Sequence, residues 1–229
     1  MNNLCIIPAR GGSKRIPRKN IKDFLGRPII DYPIGTALRC GLFGEVMVST
    51  DDAEIAGVAR RSGAKVPFLR SAAAADDHAT LADVLIEVVG AYEREGRVFE
   101  NVCCILPTAP FVSAQRIREG YDSLVNGGRE SVCPVVAFSY PILRALEIGE
   151  NGLLRMIWPE HIRTRSQDLK LAYHDCGSFY WVTVEALRGQ KTLFCKNGGA
   201  VVLPETEVQD IDTETDWKLA EIKYRLLHG

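Results

Sequence analysis

Through its first half the chain alternates short apolar runs with stretches of helical spacing, the order a parallel sheet joined by crossover helices requires. Residues 4–8 are the first apolar run, 29–42 carry a helical pattern, and 45–49 are a second run. That run ends in Thr50-Asp51-Asp52, an N-cap signal for a helix over 53–62 that stops at Gly63. A third short strand is predicted at 65–69, a long helix at 80–94 with Val84, Leu85, Val88 and Val89 on one face, and a buried strand at 101–106. After the turn Pro107-Thr108-Ala109-Pro110, Ser113 caps a helix to about residue 125, and 131–137 form another strand.

The rhythm then breaks. Residues 138–175 show short strands and loops, including Gly149-Glu150-Asn151-Gly152, before strands at 179–183 and 200–203 and a closing helix at 212–227. The expectation is an α/β fold, a mostly parallel sheet flanked by helices, as one domain over 1–229 with an inserted subdomain at 138–175. With 229 residues the chain can bury a sizeable core.

Composition excludes several classes. A net charge of −1 lacks the basic excess of a general nucleic-acid binder, and the stacking aromatics are missing too. No run approaches the roughly 18–20 apolar residues of a membrane span. Met1 to Arg10 has no basic segment before its apolar run and makes a poor signal peptide. The seven cysteines are odd in number and show no CxxC spacing, which fits a reducing, cytoplasmic setting. Cys176 alone lies in a polar string, with no basic partner fixed by the sequence.

The loop after the first strand carries the clearest chemistry. It reads Ala9-Arg10-Gly11-Gly12-Ser13-Lys14-Arg15-Ile16-Pro17-Arg18-Lys19-Asn20, and up to Lys22 it holds six cations without an acid. Open α/β sheets bind ligands at the carboxyl ends of strands. Two glycines there let backbone N–H groups approach an anion, so a triphosphate site is expected over a merely solvated basic loop. The loop is neither a Walker A sequence nor GxGxxG, which disfavours an NAD site.

IIPARGGSKRIPRKN resembles the signature of the acylneuraminate cytidylyltransferase family, and within it most nearly the branch that activates pseudaminic acid. VSTDD, DDHAT, PTAPF, RSQDLKLAYHDCGSFYW and DIDTETDW follow in the same order, so the resemblance runs nearly the whole chain. It implies a Rossmann-like nucleotidyltransferase fold and transfer of CMP from CTP to an acidic nine-carbon sugar. It also implies a homodimer made through the 138–175 arm, with Trp158 a candidate contact. Arg10, Ser13, Lys14, Lys19 and Asn20 are implied to hold the CTP phosphates and ribose, with Arg10 and Lys14 stabilising the departing pyrophosphate. Ala9, Gly11, Gly12, Arg70, Asp77 and Thr80 complete the implied nucleotide site. Thr108 joins the sugar site.

Asp210-Ile211-Asp212 precedes the last helix, and in an extended segment residues i and i+2 face the same way, about 6–7 Å apart. Two carboxylates beside a phosphate site suit Mg²⁺, and the family places its metal at this D-x-D. Helix capping by Asp212 is the alternative, and Asp216 is expected to be helix-surface charge. Arg165, Gln167, His174, Asp175 and Tyr180 cluster just before and within the return strand. An arginine fork suits the sugar carboxylate, and the others suit hydroxyl or N-acyl groups. His78 invites a metal reading, although its neighbours Asp77 and Thr80 also make a helix start.

The chain departs from the sialic-acid branch at Leu106, where that branch has glutamine, and at Asp175-Cys176, where it has Asn-Gly ahead of the return strand. Cys176 and Ser178 also differ from the alanine and glutamine typical of the pseudaminic branch. Both sets of differences put the sugar's identity in question. Legionaminic, sialic and ketodeoxyoctonic acids, and a non-catalytic nucleotide-binding subunit, are the competing expectations.

Overall fold

A computed structural model describes residues 2–71, 74, 76 and 79–229. Strand β1 (Asn3–Pro8) is followed by the small hairpin β2 (Asp23–Phe24) and β3 (Arg27–Pro28), then helix α1 (Asp31–Cys40) and β4 (Glu45–Ser49). Next come α2 (Ala53–Arg61), α3 (Leu81–Arg94), β5 (Asn101–Ile105), α4 (Ala114–Val125) and β6 (Ser131–Ala137). The arm carries β7 (Leu146–Ile148), β8 (Leu154–Met156) and β9 (Tyr173–Asp175). The chain closes with β10 (Phe179–Thr183), α5 (Val184–Gln190), β11 (Gly198–Val202) and α6 (Glu214–His228).

The main sheet has the order β11-β6-β10-β5-β1-β4, with β9 added beside β6. Strands β4, β1, β5, β6 and β11 run parallel, while β10 lies antiparallel between β5 and β6. The chain steps from β1 to β4 on one side and returns to β5 on the other. That reversal puts a switch point between β1 and β5, where the loops at their carboxyl ends open a crevice.

Alternate strand residues point to opposite faces, so Cys5 and Ile7 join the core under α1, α2 and α4, whereas Leu4 and Ile6 join the core under α3 and α5. The helices start where the side chains dictate. Asp52 caps α2 by accepting from the Glu54 and Ile55 amides, Thr80 and Asp83 form a capping box on α3, and Ser113 caps α4. Helix α1 is shorter than its pattern because Gly41, at φ 73°, takes the left-handed C-terminal position.

The strand predicted at 65–69 reduces to a single parallel bridge between Lys65 and Met47. Pro67 has no N–H to continue the ladder. The hairpin β2–β3 and helix α5 lacked a clear periodic signal, being only 2, 2 and 7 residues long. Among the described residues no helix is long and apolar enough to cross a membrane.

Gly120 sits where α4 crosses the sheet. A Cβ there would lie 2.9 Å from both Phe179 Cε2 and Trp181 Cδ1. Trp181 is fully buried and donates from Nε1 to the Ile117 carbonyl at 3.0 Å, so it cannot swing aside without leaving that bond. Gly120→Val is expected to destabilise by about 1–3 kcal/mol through overpacking. Thermal melting reads this as roughly 2–4 °C per kcal/mol in a chain of this size.

Among residues 138–175 none is buried, and Tyr140 is 83% and Ile148 75% exposed. Trp158 is half-buried. The arm therefore has no core of its own.

Candidate functional site

A third, smaller core brings the site together. Ile16 from the first loop, Phe24, Ile29 and Tyr32 pack with Ile211, Trp217 and Ala220. Phe24 meets Trp217 edge-on at 5.5 Å, and Lys22 lies 4.7 Å over the Trp217 ring while its Nζ pairs with Glu214. This packing docks α6 against the hairpin and swings residues 210–212 beside the first loop. With Ile211 buried, its neighbours Asp210 and Asp212 are left at the surface of a cleft.

Two clefts flank this junction. The first, about 410 Å³, lies between the β1 and β5 loops and is lined by Pro8, Arg10, Ser13, Lys14, Arg15, Ile16, Lys19, Asn20, Leu106, Pro107 and Thr108. Its charged lining is entirely basic. The second, about 460 Å³, is lined by His174, Asp175, Asp210, Asp212, Asp216 and Glu205, with Lys223 and the apolar base of the arm. Lys223 donates to the Glu205 and Val208 carbonyls at 3.3 and 2.8 Å.

The clefts share a wall. Asp212 accepts from Arg15 at 2.8 Å and stands 3.6 Å from Lys19, whose Nζ donates to the Ile211 carbonyl at 2.6 Å. A Cβ on Gly177 would lie 3.5 Å from Asp210 Oδ1 and 3.8 Å from a Leu106 methyl. Gly177, at φ 58°, holds the turn that brings these groups together.

Several expectations about the loop change in detail. The Gly11 amide donates to Asp51 Oδ1 at 2.9 Å, which removes it from any anion nest, and the Ala9 amide donates to the Ser49 carbonyl. Gly12 has nothing within 4 Å of its would-be Cβ and stays open. Asn20 is buried and donates to the Arg10 carbonyl at 2.9 Å, fixing the loop from within. Arg18 and Lys22 line neither cleft, because Arg18 pairs with Asp52 and Glu54 and Lys22 with Glu214.

Arg70 is buried and donates to Ser49 Oγ and the Ser49 carbonyl at 3.1 and 2.6 Å. Burial lowers its pKa, while Asp51 and Glu87 oppose that shift. Thr80 spends its hydroxyl on the α3 capping box and lines neither cleft. Asp77 and His78 lie outside the described residues.

On the sugar side, Asp175 accepts from the Gly177 amide at 3.0 Å and from the Tyr180 hydroxyl at 2.6 Å. Tyr180 is buried and lines neither cleft, so it holds Asp175 instead of facing a ligand. His174 Nδ1 lies 2.9 Å from the Asp175 carbonyl, a partner that only an N–H can bond, and Nε2 is left for a ligand. Arg165 and Gln167 do not reach either cleft of their own chain: both are exposed on the arm, and Arg165 forks to Asp168 at 2.7 and 3.2 Å. Cys176 is buried, donates to the Pro134 carbonyl and has its thiol pushed up to about 12, first by burial, so it is no nucleophile.

The cap of α6 is made by Thr213 and Asp216, which answers the capping alternative for Asp212. Asp216 thereby spends its carboxylate on the helix start. Asp210 has its carboxyl raised above the usual range, first by desolvation and then by the charge of Asp212. A carboxylate desolvated beside a second carboxylate suits a cation as their shared partner. Among the described residues no third His, Cys, Asp or Glu joins them, so phosphate oxygens and water would complete a hard-cation shell.

Residues 4–142 match the family model described as cytidylyltransferase. Over 100% of this chain and 98% of its own length, the pseudaminic acid cytidylyltransferase of Campylobacter jejuni is 42% identical. The chain belongs to the cytidylyltransferase family. The enzyme is also 32% identical, over 96% of its chain and 95% of the other, to the CMP-N,N'-diacetyllegionaminic acid synthase of Legionella pneumophila. Its fold matches a CMP:2-keto-3-deoxy-manno-octonic acid synthetase complexed with CTP, with a TM-score of 0.70 over 100% of this chain and 99% of that one, at 17% identity.

Proposed function

We propose that the enzyme transfers CMP from CTP to the anomeric hydroxyl of a nonulosonic acid, pseudaminic acid first among them, and releases pyrophosphate. The observation that carries this reading is the shared wall, where a basic cleft suited to a triphosphate meets an acidic cleft at Asp210 and Asp212. The C. jejuni relative supports pseudaminic acid, and the L. pneumophila relative makes a legionaminic acid the alternative.

In this reading the triphosphate lies in the first cleft against Arg10, Ser13, Lys14, Lys19 and Asn20, with Thr108 on the opposite side. Arg10 and Lys14 offset the charge that builds on the leaving pyrophosphate, a contribution of about 3–4 kcal/mol for one well-aimed donor. Mg²⁺ held by Asp210 and Asp212 would supply charge neutralisation at the α-phosphate and ease ionisation of the attacking hydroxyl. His174 and Asp175 present acceptors to the sugar from the second cleft. Leu106 offers that boundary an apolar surface, which disfavours a sugar needing a polar partner there.

The acidic cleft is short of positive charge for an acidic sugar, since Lys223 is tied to backbone carbonyls. We assign the missing charge to Arg165 of a second copy, delivered with Gln167 when two arms pack in a homodimer. The exposed apolar residues of the arm support that packing. Seven unpaired cysteines support a cytoplasmic setting.

The test is pyrophosphate release from CTP and Mg²⁺ against pseudaminic, legionaminic and N-acetylneuraminic acids, with the other NTPs as controls. Release with pseudaminic acid and CTP, but not with N-acetylneuraminate, is expected. Faster release with a legionaminic acid would reassign the sugar, and release with none of the three would remove the substrate class.

A further inference from the structure

Of the cations between Arg10 and Lys19, Arg10, Lys14, Arg15 and Lys19 line the basic cleft, and Arg18 does not. Its guanidinium turns instead to the start of α2. Nη1 donates to Asp52 Oδ2 at 2.5 Å, Nη2 donates to Asp52 Oδ1 at 3.1 Å, and Nη2 also pairs with Glu54. To reach them the Arg18 backbone takes φ 55° and ψ 29°, the left-handed region that a non-glycine residue occupies only when its surroundings hold it there.

The near end of the loop is fastened to the same place. The Gly11 amide donates to Asp51, and a Cβ on Gly11 would meet Asp52 Oδ2 at 2.9 Å and Asp52 Cβ at 3.1 Å. Only glycine lets the loop lie this close to Asp52. Asp52 is itself anchored, since its Oδ1 accepts from the Glu54 and Ile55 amides at 2.9 and 3.0 Å and its own amide donates to Thr50 Oγ1. The loop thus starts and ends on one capped helix terminus, with Ser13, Lys14 and Arg15 strung between the two fastenings.

We propose that Arg18 and Asp52 are positioning residues, a clasp that holds the first loop in its triphosphate-binding shape and acts on CTP only through that loop. This rests on the assignment of the loop to the CTP phosphates. A fork from one guanidinium to two acids fixes direction as well as distance, which a single point charge does not. The cations that do line the cleft can then meet the phosphates without first ordering the loop, and preorganisation of this kind raises affinity with no added contact.

The experiment measures the Kd for CTP in the absence of sugar, together with the melting temperature, for Arg18→Ala, Asp52→Asn, the double variant and Lys14→Ala. Asp52→Asn keeps an acceptor for the α2 cap and so keeps the fold. Each single clasp variant is expected to weaken CTP about tenfold, a typical consequence of a misplaced binding group. The double variant should be no worse than the weaker single, because the pair acts as one unit. If Asp52→Asn leaves CTP affinity unchanged or tighter while Arg18→Ala weakens it, Arg18 is a direct phosphate ligand and the clasp is wrong. If both lower the melting temperature with Kd unchanged, the pair serves stability alone, and the proposal is overturned. An unchanged Kd in Lys14→Ala as well would locate the fault in the loop assignment itself.

Discussion

Asp212→Ala is expected to lower kcat by a factor on the order of 10³ or more, while the protein folds normally and still binds CTP. The expectation separates cleanly into its parts because Asp212 has little structural duty. The α6 cap belongs to Thr213 and Asp216, and among the described residues the Asp212 carboxylate makes an exposed pair with Arg15 and a 3.6 Å approach to Lys19. Exposed pairs of this kind are worth about 0–1 kcal/mol, so the melting temperature should scarcely move. Removing the carboxylate also takes a negative charge from beside the phosphates, which argues against any loss of metal-free CTP binding. Stopped turnover with retained CTP binding therefore reports the carboxylate's part in catalysis. Near-normal turnover would remove Asp210 and Asp212 as the cation site, and a fall of ten degrees or so in melting temperature would make the residue structural.

The succession of β1, β4, β5 and β6 was legible because each is a largely apolar run, and α2, α3 and α4 each begin at an Asp, Thr or Ser cap, whereas α1 starts after Ile30 without one. The basic loop that lines the first cleft was legible from its position, since it directly follows β1. What linear order could not show is the third core. Ile16 and Phe24 look like loop residues until Ile211 and Trp217 arrive from almost 200 positions away. That long-range packing decides which cations serve the cleft. Six basic residues look equivalent on paper, yet Arg18 and Lys22 are spent on acids from α2 and α6. Tyr180 shows the same limit: it is buried in its strand, and its hydroxyl is spent on Asp175. The approach of Asp210 and Leu106 to the space beside Gly177, where the clefts adjoin, has no signal at all in residue spacing.

Arg165→Ala is expected to raise the KM for the sugar about a hundredfold and to leave the KM for CTP nearly unchanged, the cost of removing a bidentate partner from a carboxylate. A larger effect on CTP would mean that Arg165 serves the nucleotide. The more telling measurement concerns which subunit supplies it. Arg165 is exposed, forks to Asp168 on its own arm and lines neither cleft of its own chain. Suppose Asp212→Ala chains are co-expressed with Arg165→Ala chains. If the arm acts across a two-fold interface, one site of each mixed dimer combines an intact Asp212 with an intact Arg165 from the other subunit, and its second site carries both lesions. With the sugar held below the wild-type KM, where both parents are nearly inactive, random pairing then restores roughly a quarter of wild-type activity. If Arg165 folds back over its own cleft, every site in every pairing keeps one lesion and nothing is restored. Purifying the mixed dimer with two different tags raises the expected value to about half, because each such dimer has one whole site of two. Because Arg165 is turned to Asp168 and lines neither cleft of its own chain, the first outcome is favoured: an anionic sugar in the acidic cleft needs a cation that Lys223, held by two carbonyls, cannot fully provide.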